Sequence, residues 1–385
     1  MHSNQDIVYL NNAATTYPKP QCVLSAHAAA LCAVPVSQYR STADCEGKDV
    51  FEECRTSIGR LLHIADTQRI WFSSGATDSA NKLISGLVFS GKKIITTQIE
   101  HNSILRPLFN HPVYKEQLMI LPCDGKGEVD FTPIFQLKKG EASALFLNHC
   151  SNVTGMIQDM EAVCRAAKER QLLVFADISQ SAGCIPIDVD GWGLDGVIFT
   201  GHKGLLGVQG TGGHYVRKGI DLRPVSYGGT GRDSSRLTYE DGNYEYEVGT
   251  QNAAGIAALL AGTEYVRSLG VEEIKRKETA LVDRLYQGLE EIEGVHTIMV
   301  PKGSRGSLLS MTVDGLMPSD IAYILQNGYG IVVRAGLHCA PLIHHAAGTQ
   351  RYGTVRISTG LFTEKEHIDL VLEAVAEISA SVRKG

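Results

Sequence analysis

Apolar and polar positions along the chain alternate between two periods. From Arg69 the stretch RIWFSSGATDSANKLISGLVFSG reads as a short apolar strand, a glycine turn and an amphipathic segment, and KKIITTQ follows as a second strand. ASALFLNHCSNVTG, from Ala142, ends an apolar run in small polar residues. AVCRAAKERQLLVFADISQSAG, from Ala162, reads as helix, strand and polar loop, and LDGVIFTGHKG, from Leu194, as a strand with chemistry at its carboxyl end. Strands alternating with helices predict an α/β sheet, largely parallel, with a ligand crevice beyond the carboxyl ends of its strands.

Past Thr250 the pattern changes. TQNAAGIAALLAGTEYVRSLGVEEIKRKETALVDRLYQGLEEI is rich in helix formers with an apolar stripe and predicts long helices. A smaller unit is expected after it, with strands at SLLSMTV, GIVVRAG and GTVRISTG and helices at PSDIAYILQN and KEHIDLVLEAVAEISASVRKG. No repeat, low-complexity tract or flexible linker separates the two, so close packing is expected.

Composition narrows the function classes. The chain has 385 residues, 43% of them hydrophobic and 20% charged, ordinary values for a soluble globular enzyme of two domains. A net charge of -6 argues against a nucleic-acid partner, which needs clustered Lys and Arg. No apolar run has the length of a membrane span, and MHSNQDIVYLNNAATT lacks the order of a signal peptide, so we expect a cytoplasmic protein. Nine cysteines without CxxC spacing disfavour a disulfide framework and a structural zinc site.

Four constellations carry chemistry. Asp177 in ADIS ends an apolar run and needs a cationic or hydrogen-bonding partner, although a helix cap explains it equally well. Lys203 in TGHKG ends the next strand among glycines; it is paired, reaches to water, or is a reactive amine, and its position beside Asp177 at one crevice favours the last. SSGATDSAN offers free N–H groups at a helix start, suited to phosphate or merely a turn. In VRAGLHCAPLIH, Cys339 has His338 and Arg334 as neighbours able to raise its thiolate population. His338, His344 and His345 lack a ligand spacing; we expect them to face solvent or support the site from behind, and we expect no metal.

Together ADISQ, TGHKG, EHNS, SGATDSAN, EVGTQN and RAGLHCA resemble the aminotransferase class V family of pyridoxal-phosphate enzymes, from YLNNAATT to VRISTGLFTEKEHID. Within it the chain is similar to the group II cysteine desulfurases, the branch that includes selenocysteine lyases. The resemblance implies fold type I: a large cofactor domain over residues 16–258 with a mostly parallel seven-stranded sheet, and a smaller α+β domain from residues 1–15 and 259–385. It further implies a homodimer with sites at the interface.

The resemblance also implies roles. Lys203 matches the lysine that bonds covalently to pyridoxal 5'-phosphate, Asp177 the partner of the pyridine nitrogen, and Gln180 the residue bonded to the phenolic oxygen. His101 matches the imidazole stacked on the ring; Ala76, Thr77, Thr200 and His202 match phosphate contacts, and Thr250 a contact from the partner subunit. Asn152 and Arg356 match residues that hold the substrate carboxylate, with Arg334, Asn12 and Ala13 expected beside them, and Cys339 matches the nucleophile that takes sulfur as a persulfide. The implied reaction converts L-cysteine, or L-selenocysteine, to L-alanine, with a sulfur-acceptor protein downstream. The compact cysteine loop, followed at once by Pro341, favours group II, whereas the longer LIHHAAGTQRYGT stretch and the Asn11–Asn12 pair depart from its usual pattern. Other class V reactions that spare the cysteine, and a cofactor-free scaffold, are the alternatives.

Overall fold

The computed structural model describes residues 7–34, 49–88, 92–229, 235–238 and 246–384. Thirteen strands are present among them: β1 (Val8–Tyr9), β2 (Ile70–Ser73), β3 (Lys93–Thr97), β4 (Leu118–Leu121), β5 (Ala142–Asn148), β6 (Leu173–Asp177), β7 (Gly196–Thr200), β8 (Gly212–Val216), β9 (Val295–Thr297), β10 (Leu308–Val313), β11 (Ile331–Val332), β12 (Arg334–Gly336) and β13 (Thr354–Ser358).

A seven-stranded sheet has the order β2-β8-β7-β6-β5-β3-β4, in which β4, β3, β5, β6 and β7 pair in parallel. Strand β8 runs antiparallel to both β7 and β2. Strands β5, β6 and β7 are buried along nearly their whole length, which explains their continuous apolar runs and is the rule for sheets covered on both faces. The register Asn148↔Asp177 and Asp177↔Ile198 brings the polar ends of these three strands to one edge. Gly212 allows β8 to sit close to the glycine turn after β2, because a Cβ there would stand 2.6 Å from the Gly75 Cα.

Helices cover the sheet where the sequence supplies caps. Asp159 accepts the Ala162 N–H at the start of Met160–Glu169, and Asn252 accepts the Gly255 N–H at the start of Ala253–Leu269. A second core forms around the antiparallel sheet β12-β13-β10-β9, against the helices Val271–Glu290 and Lys365–Lys384. Strand β1 joins this side through its parallel pairing with β11, and Asn11 bridges to Ser358.

Residues 12–19 then cross to the seven-stranded sheet. The Thr16 N–H, the Thr15 and Thr16 hydroxyls and the Lys19 ammonium all donate to the carbonyl of His202, at 2.8–3.2 Å. The Thr16 hydroxyl also reaches the carbonyl of Lys203 (3.1 Å). The backbone that carries Lys203 is thus fixed from a segment that began on the smaller sheet.

Candidate active site

A cleft of about 440 Å³ opens at the carboxyl edge of the large sheet. Lys203, Asp177, Gln180, His101, Ala76, Thr77, Thr200, His202, Ala13, Asn152, Arg334 and Arg356 all line it. Strand ends supply Asp177 and Thr200, the turn after β7 supplies His202 and Lys203, and the helix Ala76–Gly86 points its first turn inward.

Asp177 is buried at the end of β6, and its Oδ1 accepts the Ser179 N–H at 2.9 Å. Behind it lies a buried carboxyl that sequence reasoning passed over although its motif was in view. Glu100 accepts the Thr97 hydroxyl (2.6 Å) and the Asn148 N–H (2.9 Å) on one oxygen, and its other oxygen has no partner. Burial pushes its pKa up to about 8, so it is held mostly protonated at neutral pH. His101 caps the helix Asn102–Asn110: its Nδ1 accepts the Ser103 N–H at 3.0 Å, which leaves the proton of the neutral ring on Nε2. Desolvation, with the charge of Lys203, lowers its pKa to about 4, so the ring is neutral.

Lys203 is half-buried, and desolvation lowers its pKa to about 8; Asp177 pulls it upward, Arg356 and Arg334 push it further down, and Cys339 opposes them. A substantial neutral fraction at physiological pH makes this amine a usable nucleophile and base. Gln180 donates from Nε2 to the Ala13 carbonyl at 3.0 Å.

At the far wall, Arg356 is fully buried. Its Nη1 donates to the Asn152 carbonyl (2.8 Å), its Nη2 to Asn11 Oδ1 (3.3 Å), and its Nε has no partner. Arg334 donates from Nη2 to the Cys339 sulfur at 3.2 Å. Cys339 does not line the cleft, but the arginine that holds its sulfur does.

One expectation changes. Asn12 does not reach the cleft: its amide is spent on the backbone, donating to Tyr9 and Ser358 carbonyls and accepting the Tyr17 N–H, and its neighbour Asn11 meets Arg356 instead. Thr250 is exposed and stands outside the cleft of its own chain. Of the two placements expected for the loop histidines, His345 faces solvent, whereas His338 and His344 are buried, with the Thr354 and Thr349 hydroxyls meeting one ring nitrogen of each. Burial, helped by Arg356 and Arg334, pushes the His338 pKa far down, so this ring adds no positive charge at Cys339.

The donor set has the layout of a pyridoxal-phosphate site. Anion donors gather at one end, where the first-turn N–H groups of Ala76 and Thr77 lack intrahelical acceptors, Thr200 offers a hydroxyl, and His202 has a buried Nδ1 without a partner. A carboxylate, a flat neutral ring and an amine, Asp177, His101 and Lys203, line the same cleft and feel one another's charge. Arg356 lines the same cleft and keeps a buried Nε without a partner, a donor suited to a carboxylate.

Comparison with known proteins adds the relatives. The family model of aminotransferase class V matches residues 8–371. A probable cysteine desulfurase of Methanothermobacter thermautotrophicus is 31% identical over 85% of this chain and 83% of its own length, and one of Pyrococcus abyssi is 29% identical over 98% and 96%. Among solved structures, the apo cysteine desulfurase of Thermococcus onnurineus superposes with a TM-score of 0.87 at 29% identity, covering 98% of this chain and 96% of that one. An Escherichia coli cysteine desulfurase in an S-sulfonic acid form gives 0.86 at 25% identity, over 99% and 96%.

Proposed function

This chain belongs to the aminotransferase class V family, and from that premise we propose that it is a pyridoxal-phosphate-dependent cysteine desulfurase, converting L-cysteine to L-alanine with the sulfur retained on Cys339. The observation that carries the reading is a convergence: the guanidinium that touches the Cys339 sulfur lines the same cleft as Lys203, Asp177, His101 and Arg356.

Ala76, Thr77, Thr200 and His202 would hold the cofactor phosphate, Asp177 its ring nitrogen, Gln180 its phenolic oxygen, and the His101 face its ring. When bound, the cofactor supplies an electron sink for the substrate carbanion. Arg356, with Asn152 beside it, receives the substrate carboxylate and directs the side chain toward Cys339. Lys203 removes the α-proton on its neutral Nζ, a role suited to an amine whose pKa burial lowers to about 8. The Cys339 thiolate then attacks the substrate sulfur. The new S–S bond forms as the Cβ–S bond breaks, the electron pair stays on Cβ, a proton taken up there completes the methyl group, and the proton held on Lys203 returns to Cα to give alanine. Arg334 faces the attacking sulfur and stabilises its negative charge.

A homodimer in which Thr250 reaches the partner's phosphate site accounts for the position of that residue outside its own cleft. A sulfur-acceptor protein would discharge the persulfide. No described helix is long and apolar enough to cross a membrane.

The test is alanine release from L-cysteine and L-selenocysteine, side by side, in the wild type and Cys339→Ala. Wild-type protein should yield alanine from L-cysteine, and the variant should not. A protein that binds the cofactor but yields no alanine from either amino acid refutes the assignment. Unchanged desulfuration in Cys339→Ala refutes the role of the thiol.

A further inference from the structure

The loop that carries Cys339 is held in an unfavourable backbone conformation. His338 (φ 51°) and Cys339 (φ 60°) are consecutive non-glycine residues in the left-handed region, a state that persists only where the surroundings over-determine it. Four hydrogen bonds supply the restraint. Asn152 Nδ2 donates to the His338 carbonyl at 2.7 Å, the Asn102 N–H donates to the Cys339 carbonyl at 2.7 Å, Arg334 reaches the sulfur at 3.2 Å, and His338 Nε2 meets the Thr354 hydroxyl at 3.0 Å. Of these, only Asn152 fixes the loop backbone by a side chain that lines the cleft.

The same residue is tied to the opposite side. Its backbone carbonyl accepts Arg356 Nη1 at 2.8 Å. Its Oδ1 is buried and has no partner, which is costly unless something in the cleft donates to it. The bond to His338 assigns the orientation of the carboxamide: one N–H is used, and the other N–H and the oxygen remain open. A bound amino acid offers a carboxylate that can accept the remaining N–H.

We propose that Asn152 is a positioning residue for Cys339: one planar amide bridges the bound amino acid and the His338 peptide, so that occupation of the carboxylate end fixes the sulfur-accepting loop. This rests on the desulfurase reading for the identity of the occupant. The tie between Asn152 and the loop stands on the geometry alone.

The experiment follows alkylation of individual cysteines by iodoacetamide, quantified by peptide mass spectrometry, in apoprotein and in cofactor-loaded protein. Exposed Cys22 and Cys32 act as internal standards, and buried Cys54 and Cys150 report global loosening. Asn152→Ala and the isosteric Asn152→Asp both lose the donor. In apoprotein of either variant, Cys339 should react about three- to tenfold faster than in wild type, the change expected for loss of one hydrogen bond, with Cys22 and Cys32 unchanged.

In loaded wild type, L-alanine should slow Cys339 alkylation, and in the variants this protection should vanish. Equal Cys339 rates in wild-type and Asn152→Asp apoprotein overturn the proposal, as does an acceleration shared with Cys54 and Cys150. If L-alanine perturbs the cofactor absorption of wild type but leaves the Cys339 rate unchanged, the bridge fails while the desulfurase reading stands. If L-cysteine gives no alanine, that reading fails, and the apoprotein comparison still decides whether Asn152 holds the loop.

Discussion

Substitution of Gly183 by alanine should disturb the position of Lys203 from behind. Gly183 lies in the loop after β6 with φ +83°, and a Cβ there would stand 2.3 Å from the Gly204 carbonyl oxygen and 2.6 Å from its carbon. Those atoms belong to the Gly204–Leu205 peptide, one residue beyond Lys203. Two costs add. The left-handed conformation costs a residue with a Cβ about 1–2 kcal/mol. Ordinary contact starts at 3.4 Å, so the Lys203 segment must retreat by about 1 Å, an overpacking cost of about 1–3 kcal/mol.

Gly193→Ala separates the two. Gly193 has φ +74° with nothing within 4 Å of its added Cβ, so it carries the conformational cost alone. In urea denaturation of the two variants, Gly183→Ala should therefore lose about 1–3 kcal/mol more than Gly193→Ala. Turnover should divide more sharply, because a displacement of about 1 Å at a reacting group can cost about 100-fold. Gly183→Ala should lose most of its alanine formation, and Gly193→Ala should keep it. Equal stability losses with wild-type turnover in Gly183→Ala would refute the claim that this glycine exists to let the Lys203 backbone pass.

Two further outcomes follow from buried charge. Arg55 is buried, donates to the Ile70 carbonyl (2.9 Å) and Glu52 (2.8 Å), and pairs with Glu247, whose other oxygen accepts the Phe72 N–H (2.6 Å); Arg55→Met should cost about 3–5 kcal/mol in urea denaturation by stranding that carboxylate, and adding Glu247→Gln should recover part of it. A loss below 1 kcal/mol would mean that the pair is already solvated.

Glu278 is buried with one oxygen unpartnered, and burial raises its pKa to about 8. The folded state therefore holds a proton that the unfolded chain has released, and stability that is fully present below the ordinary glutamate value of 4.5 is lost as pH rises to about 8. Glu278→Gln removes this titration, so its stability relative to wild type should improve from pH 5 to pH 8, measured by denaturation at both values. A constant difference across that range would refute it.

The sequence made the sheet legible where local pattern and burial agree. Strands β5, β6 and β7 are buried apolar runs that end in Asn148, Asp177 and Thr200, and a run that stops at a polar residue can be read without knowing its partners. Strand β8 was hidden, because Gly212–Val216 holds its place only through antiparallel pairing with β2 and β7, and its two glycines look like a turn. Lys203 and Asp177 were visible for their position at strand ends, and their meeting in one cleft follows from strand order.

Asn12 and Asn11 could not be told apart, since which of two adjacent amides faces Arg356 depends on the bridge to Ser358. Glu100, Glu278 and Lys19 escaped notice because neither desolvation nor a carbonyl 183 residues distant leaves any mark on neighbouring letters. For the histidines near Cys339 two placements stayed open, and burial decided between them. Polar letters in a loop suggest water, but two threonine hydroxyls allow the rings to be buried.

The crossing of residues 8–19 between the two sheets bears on how the chain matures on the ribosome. Thr15 must wait 187 residues for the carbonyl it binds, and Leu10 waits 348 for Ser358. Through most of translation this stretch is an orphan, with Leu10 lacking the strands that will bury it. A nascent polypeptide halted before Ser358 therefore carries Lys203 on a peptide whose anchoring segment can already reach the His202 carbonyl but lacks its tie to the smaller sheet.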